Sequence, residues 1–221
     1  MKICGITREE DLEVACGLGA DMVGFVLGIS SSPRNLRLKK AKCLFNLVPE
    51  NVKSVLVTVP NNLKQVLEAY NLLKPDIIQL HGENFLDLRL LKEKLPRAAL
   101  IKVVHVAGEE AIEKAAYEAS FFDGILVDSY APGKHGGTGL VHDWSISKRV
   151  RDAIYPKPLI LAGGLNPTNV LRAVETVKPY AVDVSTGVES NPGFKDPAKV
   201  EAFIRRAKQA LLDDDYYNLG L

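Results

Sequence analysis

The chain has 221 residues, 47% of them hydrophobic and 25% charged, with 28 Lys and Arg against 27 Asp and Glu for a formal charge of +1. That composition excludes a disordered chain, and the balanced charge leaves no overall field for nucleic acid or a membrane surface. No apolar run approaches the ~18–20 residues of a membrane span. Residues 1–5 lack signal-peptide architecture, and the three cysteines Cys4, Cys16 and Cys43 show no CxxC spacing. The expectation is therefore a soluble, reduced, cytoplasmic protein with neither disulfide framework nor zinc site.

Short apolar or β-branched runs recur in chain order: Lys2–Ile6, Met22–Leu27, Lys53–Val59, Asp76–Leu80, Ala99–Val104, Gly124–Asp128, Pro158–Ala162 and Ala181–Ser185. Most are continuous enough for strands buried on both faces, as in a parallel sheet. Between and after them run helical patterns at Arg8–Leu18, Arg37–Leu47, Asn62–Leu73, Glu83–Leu95, Gly108–Ala119, Trp144–Ile154, Thr168–Val177 and Pro197–Leu212. Thr7 reads as the cap of the first, with Glu10 at the capping-box position; Asn166 and Asp196 read as caps ahead of Pro167 and Pro197. Strict alternation implies βαβ units. The 221 residues give roughly 28 per unit, close to the minimum for a (β/α)8 TIM barrel. A doubly wound sheet would carry a Gly-rich fingerprint after its first strand, and Cys4-Gly5-Ile6-Thr7-Arg8 is not one. The expected organisation is a single α/β domain over 1–212 with a C-terminal tail, 213–221.

In such a barrel, chemistry sits at the C-terminal ends of the strands. Gly163-Gly164 follow the seventh strand and Ser185-Thr186-Gly187 the eighth, which is where these barrels hold a phosphate on backbone amides. The same glycines can serve merely as tight turns. Gly136-Gly137-Thr138-Gly139, after Ala131–His135, reads either as a flap over the mouth or as an ordinary mobile loop. Cys4 and Asp128 end strands on separate staves and form a candidate base and acid. A cysteine in an apolar strand is often only a small core residue, whereas a carboxylate at the end of a buried strand is costly without a purpose. Cys16 and Cys43 fall in helices and are assigned to packing. Arg34, in the loop Ser30–Arg34, suits bidentate recognition of a carboxylate. The other basic residues up to Lys42 read as a solvated helix face. His81 and His142 have no metal-site spacing around them and read as structural.

Taken together, Lys2-Ile3-Cys4-Gly5-Ile6-Thr7, Ser32-Pro33-Arg34, Gln79-Leu80-His81-Gly82, Gly136–Gly139, Asp143-Trp144, Ala162–Pro167 and Asp183–Glu189 resemble phosphoribosylanthranilate isomerase, in order and from Lys2 to about Ala210. The resemblance implies a (β/α)8 enzyme of tryptophan biosynthesis that carries out an Amadori rearrangement. It implies Cys4 as general base, Asp128 as general acid and no cofactor or metal. Substrate contacts then fall to Arg34, Gly163, Gly164, Asp183, Ser185, Thr186 and Gly187. The implied partner is a small phosphorylated substrate, with neither nucleic acid nor membrane, and the implied assembly a monomer or homodimer. Rivals are another phosphate-binding barrel, which would want catalytic Lys and Glu or a metal-binding His/Asp set, and a non-catalytic sensor, which would not need Cys4 with Asp128.

Overall fold

The computed structural model describes residues 1–82, 88–129 and 141–212. The expected flap, the first residues of the helical pattern at Glu83 and the tail 213–221 lie outside them. Eight parallel strands close on themselves: β1 Lys2–Cys4, β2 Met22–Leu27, β3 Lys53–Thr58, β4 Ile77–Leu80, β5 Ala99–Val106, β6 Gly124–Ser129, β7 Leu159–Leu161 and β8 Ala181–Val184. Each strand pairs with its sequence neighbours, and β1 pairs with both β2 and β8 to seal the cylinder. Eight helices follow the strands: α1 Glu9–Gly17, α2 Leu38–Asn46, α3 Leu63–Leu73, α4 Leu88–Lys94, α5 Glu110–Ala119, α6 Trp144–Ile154, α7 Val170–Val177 and α8 Pro197–Leu212. The chain is the (β/α)8 barrel expected from its alternation. Among the described residues no helix is long and apolar enough to cross a membrane.

Apolar side chains on both faces of the strands explain the architecture. Outward-pointing Val23, Phe25, Leu56, Ile78, Leu100, Val104, Ile125, Val127, Leu161 and Val182 pack against Leu12, Leu44, Val66, Ala115, Val150, Val174 and Phe203 of the helices. Inward-pointing residues one position along fill the barrel: Met22, Val26, Val55, Val57, Ile101, Val103, Leu126, Ile160 and Ala181. The period-2 alternation of a strand thus builds two cores from one run.

Side-chain caps hold the starts of α3, α6 and α8. Asn62 accepts from the Gln65 amide at 3.0 Å and Asp143 from the Ser145 amide at 2.9 Å. Asp196 accepts from Ala198 and Lys199, with Pro197 as the first helical residue. Asn166 caps the turn ahead of α7, accepting from the Thr168 amide at 2.8 Å, and the helix proper begins two residues later than its pattern suggests. Thr7 is not the cap of α1. Arg8 occupies that position without a side-chain bond, and the Thr7 hydroxyl donates instead to the Gly193 carbonyl at 2.5 Å. Glu9, Glu10 and Asp11 in the first turn face the positive end of the helix dipole in its place.

Three short elements have no counterpart in the periodicity. Asn35–Leu36 adds to β2 at Val26 and Leu27, which fixes the loop carrying Arg34. A 3-10 turn, Thr186–Val188, follows β8, and the hairpin Glu189–Asn191 with Phe194–Lys195 follows the turn.

Phe203 of α8 is fully buried in the outer core. Phe203→Ala is expected to lower unfolding free energy by about 3–5 kcal/mol, read as a fall in the urea midpoint.

Candidate active site

All nine residues singled out from the sequence line one cavity of about 170 Å3 at the C-terminal mouth of the barrel: Cys4, Arg34, Asp128, Gly163, Gly164, Asp183, Ser185, Thr186 and Gly187. They come from five of the eight strand-to-helix junctions. Val26, Ile29, Val57, Leu126 and Leu165 supply apolar wall, and Gln79, His81 and Asn166 add further polar groups.

The floor is charged. Lys2 is 1% exposed and sends its ammonium to Gln79 Oε1 at 2.6 Å and Asp183 Oδ2 at 2.9 Å. Burial works against that ammonium, but Asp183 and Cys4 outweigh it and hold its pKa above the ordinary lysine value, so it stays charged. Cys4 lies two residues further along β1 on the same face. Burial pushes its thiol above the ordinary range and Asp183 adds to the push, while Lys2 and Lys195 pull it down. Gly24 of β2, paired with Cys4, leaves room for both side chains. A Cβ there would lie 2.8 Å from Cys4 Sγ and 3.0 Å from Lys2 Cε.

Asp128, the last but one residue of β6, lies in register with His105 of β5. Its carboxylate accepts from the Ser129 amide at 2.8 Å, yet burial, reinforced by Asp183, raises its pKa to about 6. A carboxyl group poised there can give or take a proton near neutrality.

The rim is organised by Glu189. Arg34 is 8% exposed and grips both oxygens of Glu189, Nε to Oε1 at 2.7 Å and Nη2 to Oε2 at 2.5 Å, with Nη2 also 3.2 Å from Thr186 Oγ1. Lys195 donates to Glu189 Oε1 at 2.9 Å and to the Ser185 carbonyl at 3.2 Å. Burial alone would raise the Glu189 pKa, but these two cations hold it below the usual carboxylate range. Among the described residues, Nη1 of Arg34 remains as the donor without a protein partner.

The glycines of the two loops are sterically required. Gly163 and Gly164 have φ of +87° and +64°, and a Cβ on Gly163 would run into Ser129. A Cβ on Gly187 would strike the Leu165 carbonyl, so the loops after β7 and β8 touch backbone to backbone. Among the described residues the amides of Gly163, Gly164 and Gly187 donate no hydrogen bond to the protein. Ser185 Oγ and Asp183 Oδ1 are buried without a partner. Buried polar atoms left open in this way, at the wall of a cavity, are free to bond whatever occupies it. His142 supports the wall from behind, its ring between Ser129 Oγ at 2.9 Å and Ser147 Oγ at 2.6 Å. Burial lowers its pKa to about 4, so the imidazole is neutral.

The sequence matches the family model described as N-(5'-phosphoribosyl)anthranilate isomerase over residues 1–206. The chain belongs to the phosphoribosylanthranilate isomerase family. It is 40% identical over 209 residues to the N-(5'-phosphoribosyl)anthranilate isomerase of Methanothrix thermoacetophila, covering 94% of this chain and 97% of the relative. The fold is similar to that of the phosphoribosyl anthranilate isomerase of Thermotoga maritima, with a TM-score of 0.83 and 37% identity over 94% of this chain and 98% of the other. It is likewise similar to a phosphoribosyl anthranilate isomerase in complex with reduced 1-(o-carboxyphenylamino)-1-deoxyribulose 5-phosphate, with a TM-score of 0.80 and 36% identity over 94% and 97% of the two chains.

Sequence reasoning missed Lys2, Gly24, Gln79, Glu189 and Lys195 as individual parts of this cavity and its supports. Two carried a signal: a glycine inside an apolar strand lowers strand stability, and a lysine inside one is costly to bury. Glu189 and Lys195 had none, because Arg34, which grips Glu189, lies 155 residues away from it, and Lys195 is placed by its own bond to Glu189.

The raised pKa of Asp128 has a consequence for stability. The folded state binds its proton more tightly than the unfolded state, so stability falls as pH rises from about 4 to about 6, and the whole cost persists above that range. Asp128→Asn is therefore expected to gain on the order of 1–3 kcal/mol at pH 8 and almost nothing near pH 4, read from urea unfolding at the two pH values.

Proposed function

We propose that the protein isomerises N-(5'-phosphoribosyl)anthranilate to 1-(o-carboxyphenylamino)-1-deoxyribulose 5-phosphate, a step of tryptophan biosynthesis, by an Amadori rearrangement. The observation that carries this reading is the convergence of a thiol, a carboxyl group of raised pKa and an open pair of glycine loops on one cavity. The family membership and the complex of a related enzyme with a reduced product support it.

In this reading the phosphate sits on the amides of Gly163, Gly164 and Gly187, with the Ser185 and Thr186 hydroxyls beside it. Their unused donors, and the turn of α7 beyond them, favour an anion without any lysine. The anthranilate carboxylate meets Nη1 of Arg34, whose guanidinium is held rigid by Glu189. Asp128, in its protonated form, gives its proton to the furanose ring oxygen. The C1–O bond breaks and the nitrogen lone pair forms a protonated Schiff base. Cys4, as thiolate, removes the proton from C2. The C2–H electrons become the C1–C2 double bond of an enolamine, and the iminium electrons return to nitrogen. Transfer of the enol proton to C1 gives the ketone. Asp183 Oδ1, buried and open, accepts a hydrogen bond from a sugar hydroxyl and orients C2 toward the thiol.

The direct experiment follows the loss of fluorescence of freshly generated phosphoribosylanthranilate. Wild-type protein is expected to turn it over. Cys4→Ala is expected to lower kcat by about 10²–10⁴-fold, the usual contribution of a general base. Turnover within a fewfold of wild type would return Cys4 to a packing role.

A second measurement isolates the phosphate loops. A side chain at Gly164 pushes the backbone off the anion, so Gly164→Val is expected to raise KM at least about tenfold, the loss of roughly one charge-assisted hydrogen bond. An unchanged KM would place the phosphate elsewhere.

A further inference from the structure

Lys2 is among the largest fully buried side chains of the protein, and it stands in register with Met22 of β2 in a barrel interior that is otherwise largely apolar. An apolar side chain of similar length would pack there without the cost of burying an ammonium, so stability alone does not call for lysine. Its head group is directed by two acceptors from opposite parts of the barrel, Gln79 and Asp183, and its stem shares with Cys4 the space left by Gly24. We propose that Lys2 is the positioning cation for Cys4, holding the negative charge of the thiolate while Asp183, bound to the same ammonium, limits that hold. The proposal rests on the reading of Cys4 as general base.

Other charges also face the thiol. Lys195 of the hairpin and Arg34 of the loop after β2 are both cationic and act on Cys4, but they share Glu189, which cancels one of their two charges. Asp183 of β8 opposes them, and Asp128 of β6 lines the same cavity. Of the cations, Lys2 has the strongest pull on the thiol, and it answers to Asp183 alone among carboxylates within hydrogen-bond reach. The thiol is held protonated by burial, so the base form is a minor one and its population sets the rate. A cation fixed in the floor raises that population without touching the substrate.

The test uses the full chain with Cys16→Ser and Cys43→Ser, so that Cys4 is the sole thiol, and measures the rate of alkylation by iodoacetamide as a function of pH. Lys2→Met is expected to move the alkylation midpoint up by about one pH unit or more. It is also expected to cut kcat at neutral pH about tenfold with KM nearly unchanged, part of the loss returning at higher pH. Asp183→Asn keeps an oxygen acceptor for Lys2 but removes the opposing charge, so the midpoint is expected to move down. The opposite signs are the signature, since loosening of the site moves both variants the same way or neither. An unmoved midpoint in folded Lys2→Met overturns the proposal. Should Lys2→Met fail to fold, a midpoint that stays or rises in Asp183→Asn overturns it alone. The base assignment fails separately: if Cys4→Ala turns over normally while the midpoints shift as stated, Lys2 still sets the thiol and the thiol is not the base.

Discussion

The first and last strands of the barrel meet at one seam, and across that seam Lys2 faces Asp183 at 2.9 Å. A parallel barrel has no free edge once it is closed, so β1 must find β8 after nearly the whole chain has been laid down. Register at this last joint decides whether the site exists. A slip of one residue would turn Lys2 and Cys4 outward into the layer of helices and bring Ile3 into the cavity. The ion pair opposes that slip, because either partner left alone in the interior would be an uncompensated buried charge. The bond is thus both the closing register mark of the fold and the floor of the cavity.

A second tie acts at the rim. Arg34 belongs to the loop after β2, Glu189 to the start of the hairpin after β8, and Lys195 to its end. Their hydrogen bonds bridge segments that meet on either side of β1, over the same seam. Because Lys195 also donates to the Ser185 carbonyl, the orientation of the loop after β8 depends on this pairing. The backbone contact of Gly187 with Leu165 then carries that orientation to the loop after β7. The proposed anion site, built largely on backbone amides, needs such external bracing, since amides are aimed by the backbone and cannot reorient by changing rotamer.

The eight strands and eight helices were legible in the sequence because most strands are largely apolar on both faces and several helices open on polar punctuation, as at Asn62, Asp143 and Asp196. Strand-end logic also puts Cys4, Asp128 and the glycines at the mouth of the barrel, where they line the cavity. The short pieces were not legible: Asn35–Leu36 and the 189–195 hairpin are too brief to show a period. Thr7 carried the right residue type for a cap, but its hydroxyl is taken by Gly193, a partner 186 residues away. The charged floor was hidden for the same reason. Residues 2, 79 and 183 have no relation in sequence, and closure alone brings Lys2, Gln79 and Asp183 within hydrogen-bond reach. Arg34 is expected from the sequence to recognise a carboxylate bidentately, and the carboxylate it grips in that way is Glu189 of the chain itself, which narrows its contact with a ligand to one edge.

The polar groups in the cavity share one property: each is less stable than an alternative that would serve the fold alone. Asp128 holds a carboxyl group against burial, Lys2 an ammonium where a thioether would fit, and Ser185 a hydroxyl without a partner. A core selected only for packing would have replaced them, as the neighbouring Val26, Val57, Leu126 and Ile160 show is possible within the same barrel. The costs fall within one cavity, at one end, while the outer core between strands and helices carries the folding free energy separately. That separation lets the barrel tolerate an interior which is electrostatically strained. In the proposed reaction the strain is itself useful, because a carboxyl group near its own pKa and a thiol beside a fixed cation would exchange protons with the bound sugar phosphate without the surroundings having to reorganise.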